Sequence, residues 1–167
     1  INNSSWSDLF YTSSSIPKLD DVRGKIVLVR RYGNSSLGLN ATGWSDNNKD
    51  FTINRSGYKL RVQDYYEPED VSKTDILTSS KAKSFAKDKW SAVSAFDDKA
   101  KSSGGSSNTL WINFTSGSIM GTYTDTIAGI VNPQVVSRLN SDRLSGKFHG
   151  IIAMDWVGDT EAQAVYM

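Results

Sequence analysis

Three short stretches end in residue types that could do chemistry. KIVLVRR (Lys25–Arg31) places Arg30 and Arg31 directly after the apolar run Ile26–Val29. VQDYY (Val62–Tyr66) closes an apolar stretch on Asp64 and Tyr66, and GIIAMDWV (Gly150–Val157) holds Asp155 between Met154 and Trp156. A charge that is taken out of water needs a partner, because burying it unpaired is expensive. Guanidinium groups at a strand end therefore call for something anionic or hydroxyl-rich. A carboxylate such as Asp155 suits the N–H of an imidazole, where it would fix the tautomer of a histidine general base, or a guanidinium. The bland alternative is that each charge simply reaches solvent. It accounts for any one position as readily as function does, but poorly for Arg31, Asp64 and Asp155 together.

Other chemistries find little support. His149 is the only histidine and precedes its apolar run, so it is expected at the opposite end of the sheet from Asp155, in a structural or solvated role. No nucleophile elbow, dinucleotide fingerprint or P-loop pattern occurs. SSGGSSN (Ser102–Asn108) follows a helical stretch rather than opening one, so it reads as a turn. With no cysteine and one histidine, no metal or cofactor is expected.

The elements that must position these residues follow from periodicity. Ile26–Val29 reads as a strand buried on both faces, and Tyr58–Tyr66 as a second strand with Leu60 and Val62 alternating against Lys59, Arg61 and Gln63. Between them, residues 32–57 are rich in Gly, Asn and Ser and read as a long connection that includes Trp44. From about Asp70 to Ser102, Phe85, Ala86, Trp90, Val93, Phe96 and Ala100 recur at helical steps, with the lysines expected on the outer face. TLWINFTS (Thr109–Ser116) reads as a third strand, and Asn132–Leu144 as a short helix capped by Asn132 with Pro133 first. Gly150–Val157 would be a fourth buried strand, and the tail to Met167 the first turns of another helix. Strands alternating with helices or long crossovers imply an α/β architecture with parallel pairing. Ligands then collect at the C-terminal strand ends, where Arg31, Asp64, Tyr66, Ser116 and Asp155 would lie.

Composition sets the outer limits. The 167 residues suffice for one domain with its own core, and residues 1–15 form a polar, Ser-rich segment with Trp6, Leu9, Phe10 and Tyr11 as docking points. Nineteen Lys and Arg against eighteen Asp and Glu give no basic field for nucleic acid. No apolar run is long enough to predict a membrane-spanning helix. Six Asn-x-Ser/Thr sequons, at Asn2, Asn3, Asn34, Asn40, Asn54 and Asn113, point to a secreted glycoprotein. Asn113 falls in a strand, where a glycan would not fit; the others fall in loop-like stretches. The chain starts at Ile1 with no visible signal peptide, as expected of a processed product or a piece of something longer.

In this order, VRGKIVLVRRY, GWSDN, VQDYY, LWINFTS with a later NP, and GIIAMDWV resemble the X-domain family of phosphatidylinositol-specific phospholipases C of the bacterial and secreted fungal kind. The resemblance covers about residues 16–157. It implies a distorted (β/α)8 barrel and a metal-independent cleavage of phosphatidylinositol. One histidine takes the proton of the inositol 2-hydroxyl, which attacks the phosphate. A second histidine protonates the departing diacylglycerol oxygen, and a cyclic inositol phosphate forms. On this resemblance Arg31 would contact inositol hydroxyls, Asp64 would hydrogen-bond the same ring and Tyr66 would stack on its face. Trp44 would lie beside the site, and Asp155 would orient the general-base histidine. Arg30 would point to the opposite face, toward a carboxylate near a helix.

The family's two catalytic histidines and phosphate-binding Arg belong to the first half of the barrel, which nothing here matches. Ser116–Pro133 offers only Tyr123 where bacterial members carry an aromatic-rich membrane segment. A (β/α)8 barrel takes about 250 residues, and four strands cannot close one. The expectation is thus the C-terminal half of a barrel, a partial domain spanning 1–167, inactive alone. Its partners would be the missing N-terminal half, a phosphatidylinositol-type head group and, transiently, a membrane surface. A non-catalytic binding protein on the same fold, or a phosphodiesterase for another glycerol or sphingoid head group, remain alternatives.

Overall fold

The computed structural model of the chain describes residues 7–68, 79–106, 108–118 and 124–166. Trp6, the helix start expected near Asp70, Tyr123 and the sequons at Asn2 and Asn3 lie outside the described residues.

The centre is a four-stranded sheet of β5 (Phe51–Arg55), β6 (Tyr58–Gln63), β7 (Thr109–Phe114) and β8 (Ile151–Ala153), in that order. β6, β7 and β8 run parallel, with Leu60 opposite Leu110 and Ile112 opposite Ile151. Each crossover is a helix: α1 (Ser79–Ser103) joins β6 to β7, and α2 (Thr124–Asp142) joins β7 to β8. A last helix, α3 (Asp159–Tyr166), follows β8 as the tail predicted.

Alternation along β6 and β7 sorts the two faces. On one, Leu60, Val62 and Ile112 pack with Leu39, Ala41, Ile53 and Tyr58. Fully burying a side chain such as Leu60 or Val62 stabilises the fold by about 1.5–3 kcal/mol relative to leaving it in water. The other face receives the helices. Phe85, Ala86 and Val93 of α1 meet Ile127, Val131 and Val135 of α2 over Tyr65, and Phe96 lies edge-on to Trp111. Gly150 has a φ of 73°, and a Cβ there would stand 2.7 Å from the Cβ of Trp111. Only glycine lets the chain enter β8 this close to β7.

Several expectations are corrected. Ile26–Val29 is not one strand buried on both faces. It divides into β2 (Ile26–Val27), paired with β1 (Phe10–Tyr11), and β3 (Val29–Arg30), paired with β4 (Leu39–Asn40). Leu28 is the switch point, its N–H donating to Tyr11 O and its carbonyl accepting from Leu39 N. Because pairing changes sides there, Ile26 and Val29 are exposed while Arg30 is buried.

The 32–57 connection contains β4 and β5. β5 forms an antiparallel hairpin with β6 around Ser56–Gly57, so the sheet is mixed rather than wholly parallel. Asn132 does not cap a helix; it lies buried inside α2, eight residues past its start, and Pro133 follows it within the helix. β8 is an edge strand with Ile151 exposed, not a strand buried on both faces. The lysines of α1 are not all outside: Lys89 is fully buried. Among the sequons, Asn40 and Asn54 lie in strands rather than loops, and Asn113 is buried in β7 as expected.

Candidate functional site

The C-terminal ends of β3, β6 and β8 supply the residues singled out by sequence. Arg31 leaves β3 into solvent and lays its guanidinium over the Trp44 ring, 4.9 Å from the centroid. The same indole donates from Nε1 to Asp64 Oδ2 at 2.6 Å. Trp44 is fixed from below by edge contacts with Phe51 and Phe114. Arg31, Trp44 and Asp64 therefore form one continuous cluster drawn from three separate segments.

The loop carrying Trp44 is laced to the strand end beside it. Asn47 Oδ1 accepts from the backbone N–H of Tyr66 and of Glu67, and Asn47 Nδ2 donates to Glu67 O. The Tyr66 hydroxyl donates to Asp46 Oδ1 at 3.0 Å, which raises its pKa. Tyr66 is thus anchored to the same loop as Trp44.

Arg30 departs from expectation. Its Nε donates to Leu37 O and its Nη1 to Tyr32 O, so it staples the turn after β3 through carbonyls instead of meeting a carboxylate. Asp155 lies two residues beyond β8 and is half-buried. Its backbone carbonyl accepts from Asn132 Nδ2 of α2 at 2.9 Å. Among the described residues no donor meets its carboxylate. Trp156, next in the chain, has a φ of 54° and is largely exposed.

Beneath the rim, on the helix side of the sheet, lies a polar network that sequence reasoning missed. Lys89 donates from Nζ to Gln63 Oε1 at 3.0 Å and to Tyr65 O at 2.5 Å. Gln63 Oε1 also accepts from Tyr65 N, while Gln63 Nε2 donates to Asn113 Oδ1 and Phe114 O. Asn113 Nδ2 in turn reaches Val93 O. Burial pushes the Lys89 ammonium down to about 7 against the opposing pull of Asp64 and Asp155. The signal was present: Phe85, Lys89, Val93 and Asp97 form one i, i+4 row on α1, so Lys89 and Asp97 fall on the inward stripe.

Asp97 anchors the opposite end. It pairs with Arg138 of α2 and accepts from or shares a proton with His149 Nδ1 at 2.8 Å. Asp98, Lys101 and Asp142 extend the group, with Lys101 Nζ 2.8 Å from Asp142. The lone histidine is thereby at the N-terminal end of β8, away from Asp155, as the sequence predicted. A cleft of about 490 Å³ opens beside this end, lined by Leu139, Phe148, His149, Ile152 and Met154 among others; neither Asp64 nor Asp155 lines it.

No family model matches the chain. It is 30% identical over 171 aligned residues to the 1-phosphatidylinositol phosphodiesterase of Staphylococcus aureus strain Newman, covering 95% of this chain and 48% of that protein. A crystal structure of the phosphatidylinositol-specific phospholipase C of S. aureus superposes with a TM-score of 0.71 at 27% identity, over 94% of this chain and 49% of that one. Another, concerned with modulation of that enzyme's membrane binding, gives 0.67 at 25%, again over 94% and 49%. The Listeria monocytogenes enzyme, at 20% identity, shares the fold with a TM-score of 0.62 over 96% of this chain and 53% of its own. The chain spans about half the length of the curated relatives it matches.

Proposed function

Proceeding from kinship with bacterial phosphatidylinositol-specific phospholipases C, whose α/β fold this chain matches, we propose that it is the inositol-recognising, C-terminal half of such an enzyme's barrel. The observation that carries the reading is the Arg31–Trp44–Asp64 cluster at the strand ends. Asp64 accepts and Arg31 donates, so together they suit adjacent ring hydroxyls, and a site built to bond hydroxyls rejects analogues lacking them. Tyr66 offers its ring face to the inositol. Asp155, with a carboxylate that meets no donor among the described residues, orients a general-base histidine supplied by the other half.

The flanks support a half-barrel. β8 is the last strand of its sheet, with Ile151 47% exposed, and Ile26 in the separate β1–β2 pair is 58% exposed. Unpaired edges and bare apolar side chains of this kind invite further strands. Trp156 and Val157, exposed beside Asp155, fit transient contact with a lipid surface. Asn34 and Asn54, both exposed, are the described sequons open to a glycan if the protein is secreted.

The test is release of cyclic inositol phosphate from phosphatidylinositol vesicles, with this chain alone and with the chain joined to the N-terminal half. The joined protein is expected to be active and the chain alone inactive. Activity from the chain alone refutes the division of roles. An inactive joined protein that still binds inositol phosphate is a binding protein on the same fold.

A further inference from the structure

Among the described residues Asp97, buried on the same helix, has opposite charges in contact, while buried Arg30 bonds to carbonyls of its own turn. Lys89 lacks an opposite charge in contact: among the described residues its ammonium bonds only to neutral carbonyl oxygens, those of Gln63 and Tyr65. These two oxygens flank Asp64 in sequence. Gln63 Oε1 takes both Lys89 Nζ and Tyr65 N, so a single side chain closes a ring around the backbone that carries Asp64. On the far side the same segment is tied by Asp64 N to Asn48 O and by Tyr66 N to Asn47. Lys89 thus secures from the helix layer what the Trp44 loop secures from above.

We infer that Lys89 is a positioning residue that holds the Gln63–Tyr66 strap, and through it the Asp64–Trp44 pair, in the geometry that receives the ligand's hydroxyls. It reaches the site without touching substrate. The inference deepens the inositol-binding reading and rests on it for the ligand, though not for the strap.

The charged groups around Lys89 are few. Asp64 beyond β6 and Asp155 beyond β8 both act on its ammonium, and Lys49 of the Trp44 loop sits 4.4 Å from the centroid of the Tyr65 ring. Both carboxylates favour the charged form, while burial opposes it and brings the ammonium to about 7. A neutral amine still has the two N–H groups that Lys89 uses here, but without the positive charge both bonds to the carbonyl oxygens weaken. Loss of the proton near neutrality therefore loosens the strap.

The test follows the Trp44 indole N–H and the Gln63 and Asn113 side-chain amides by nuclear magnetic resonance in the full-length protein from pH 5.5 to 9. Wild type is expected to show a common inflection near pH 7 at all three. Lys89→Met should abolish it, and Lys59→Met, on the exposed side of β6, should leave it. Inositol 1-phosphate at pH 6 is expected to bind at least tenfold more weakly to Lys89→Met. A flat wild-type profile, or an inflection that survives in Lys89→Met, overturns the positioning role. Should Lys89→Met not fold, the wild-type profile still decides. Wild type that shows the inflection but binds no inositol 1-phosphate overturns the functional reading instead.

Discussion

The two ends of the sheet each bury an ionisable side chain from the same helical row, and they treat it in opposite ways. At the N-terminal end Asp97 is met by Arg138 and His149, with Lys101 close by, and the group closes on itself. At the C-terminal end Lys89 has carbonyl partners only, and its nearest carboxylates stay turned to the rim. A closed charge group binds α1, α2 and the start of β8 together and has nothing left to offer. On the proposed reading the open one leaves Asp64 and Asp155 for a ligand and a partner half, and the difference separates scaffold from site within one sheet.

Breaking the closed end should cost most. Asp97→Ala removes the buried carboxylate shared by Arg138 and His149, leaving Arg138 only the exposed Asp98, and removing one partner of a buried pair costs about 3–5 kcal/mol. Urea unfolding should show it, and a loss below 1 kcal/mol would mean that the group is ornamental. Lys89→Met should cost less, about 1–3 kcal/mol at neutral pH, because Tyr65 O and Gln63 Oε1 each lose a donor, the latter keeping Tyr65 N, while an expensive buried charge also disappears.

Its pH dependence sharpens the contrast. The folded value is about 7 and the unfolded one that of an ordinary lysine, near 10.5. Between them the unfolded chain holds the proton that the folded chain has lost, so this group makes stability rise as pH climbs from 7 toward 10. Lys89→Met should remove that rise, which denaturant titrations across the range would read. Trp44→Phe keeps the ring but deletes the donor to Asp64, with an expected loss of about 1 kcal/mol in stability and weaker inositol binding by calorimetry. Smallest of all, Arg23→Ala removes a pair that is mostly solvated and should shift stability by no more than about 0.5 kcal/mol.

What could be read from the sequence depended on whether a residue's partner was local. The apolar rows of β6, β7 and α1 stand out because burial imposes a period, and the strand-end positions of Asp64 and Asp155 follow from them. β5 did not stand out, since Phe51–Arg55 alternates too briefly and declares itself only through the Ser56–Gly57 turn. Pro133 misled because proline is common at a helix's first turn, whereas here α2 accepts it inside and uses the neighbouring Asn132 to hold the Asp155 carbonyl. That Arg30 meets the Leu37 and Tyr32 carbonyls instead of a carboxylate goes with the change of strand partner at Leu28, a tertiary event with no local mark. Lys89 was legible in the i, i+4 row and was passed over because lysines on a helix are usually outside.

The central claim is that Arg31 and Asp64 read an inositol ring while Asp155 serves the chemistry. The most direct measurement is calorimetric binding of inositol 1-phosphate to the full-length protein, paired with its rate of cyclic inositol phosphate release. Arg31→Ala and Asp64→Ala are predicted each to weaken binding at least tenfold, and Asp155→Asn to leave binding intact while release falls by orders of magnitude. Equal binding across all three variants and wild type would contradict the account.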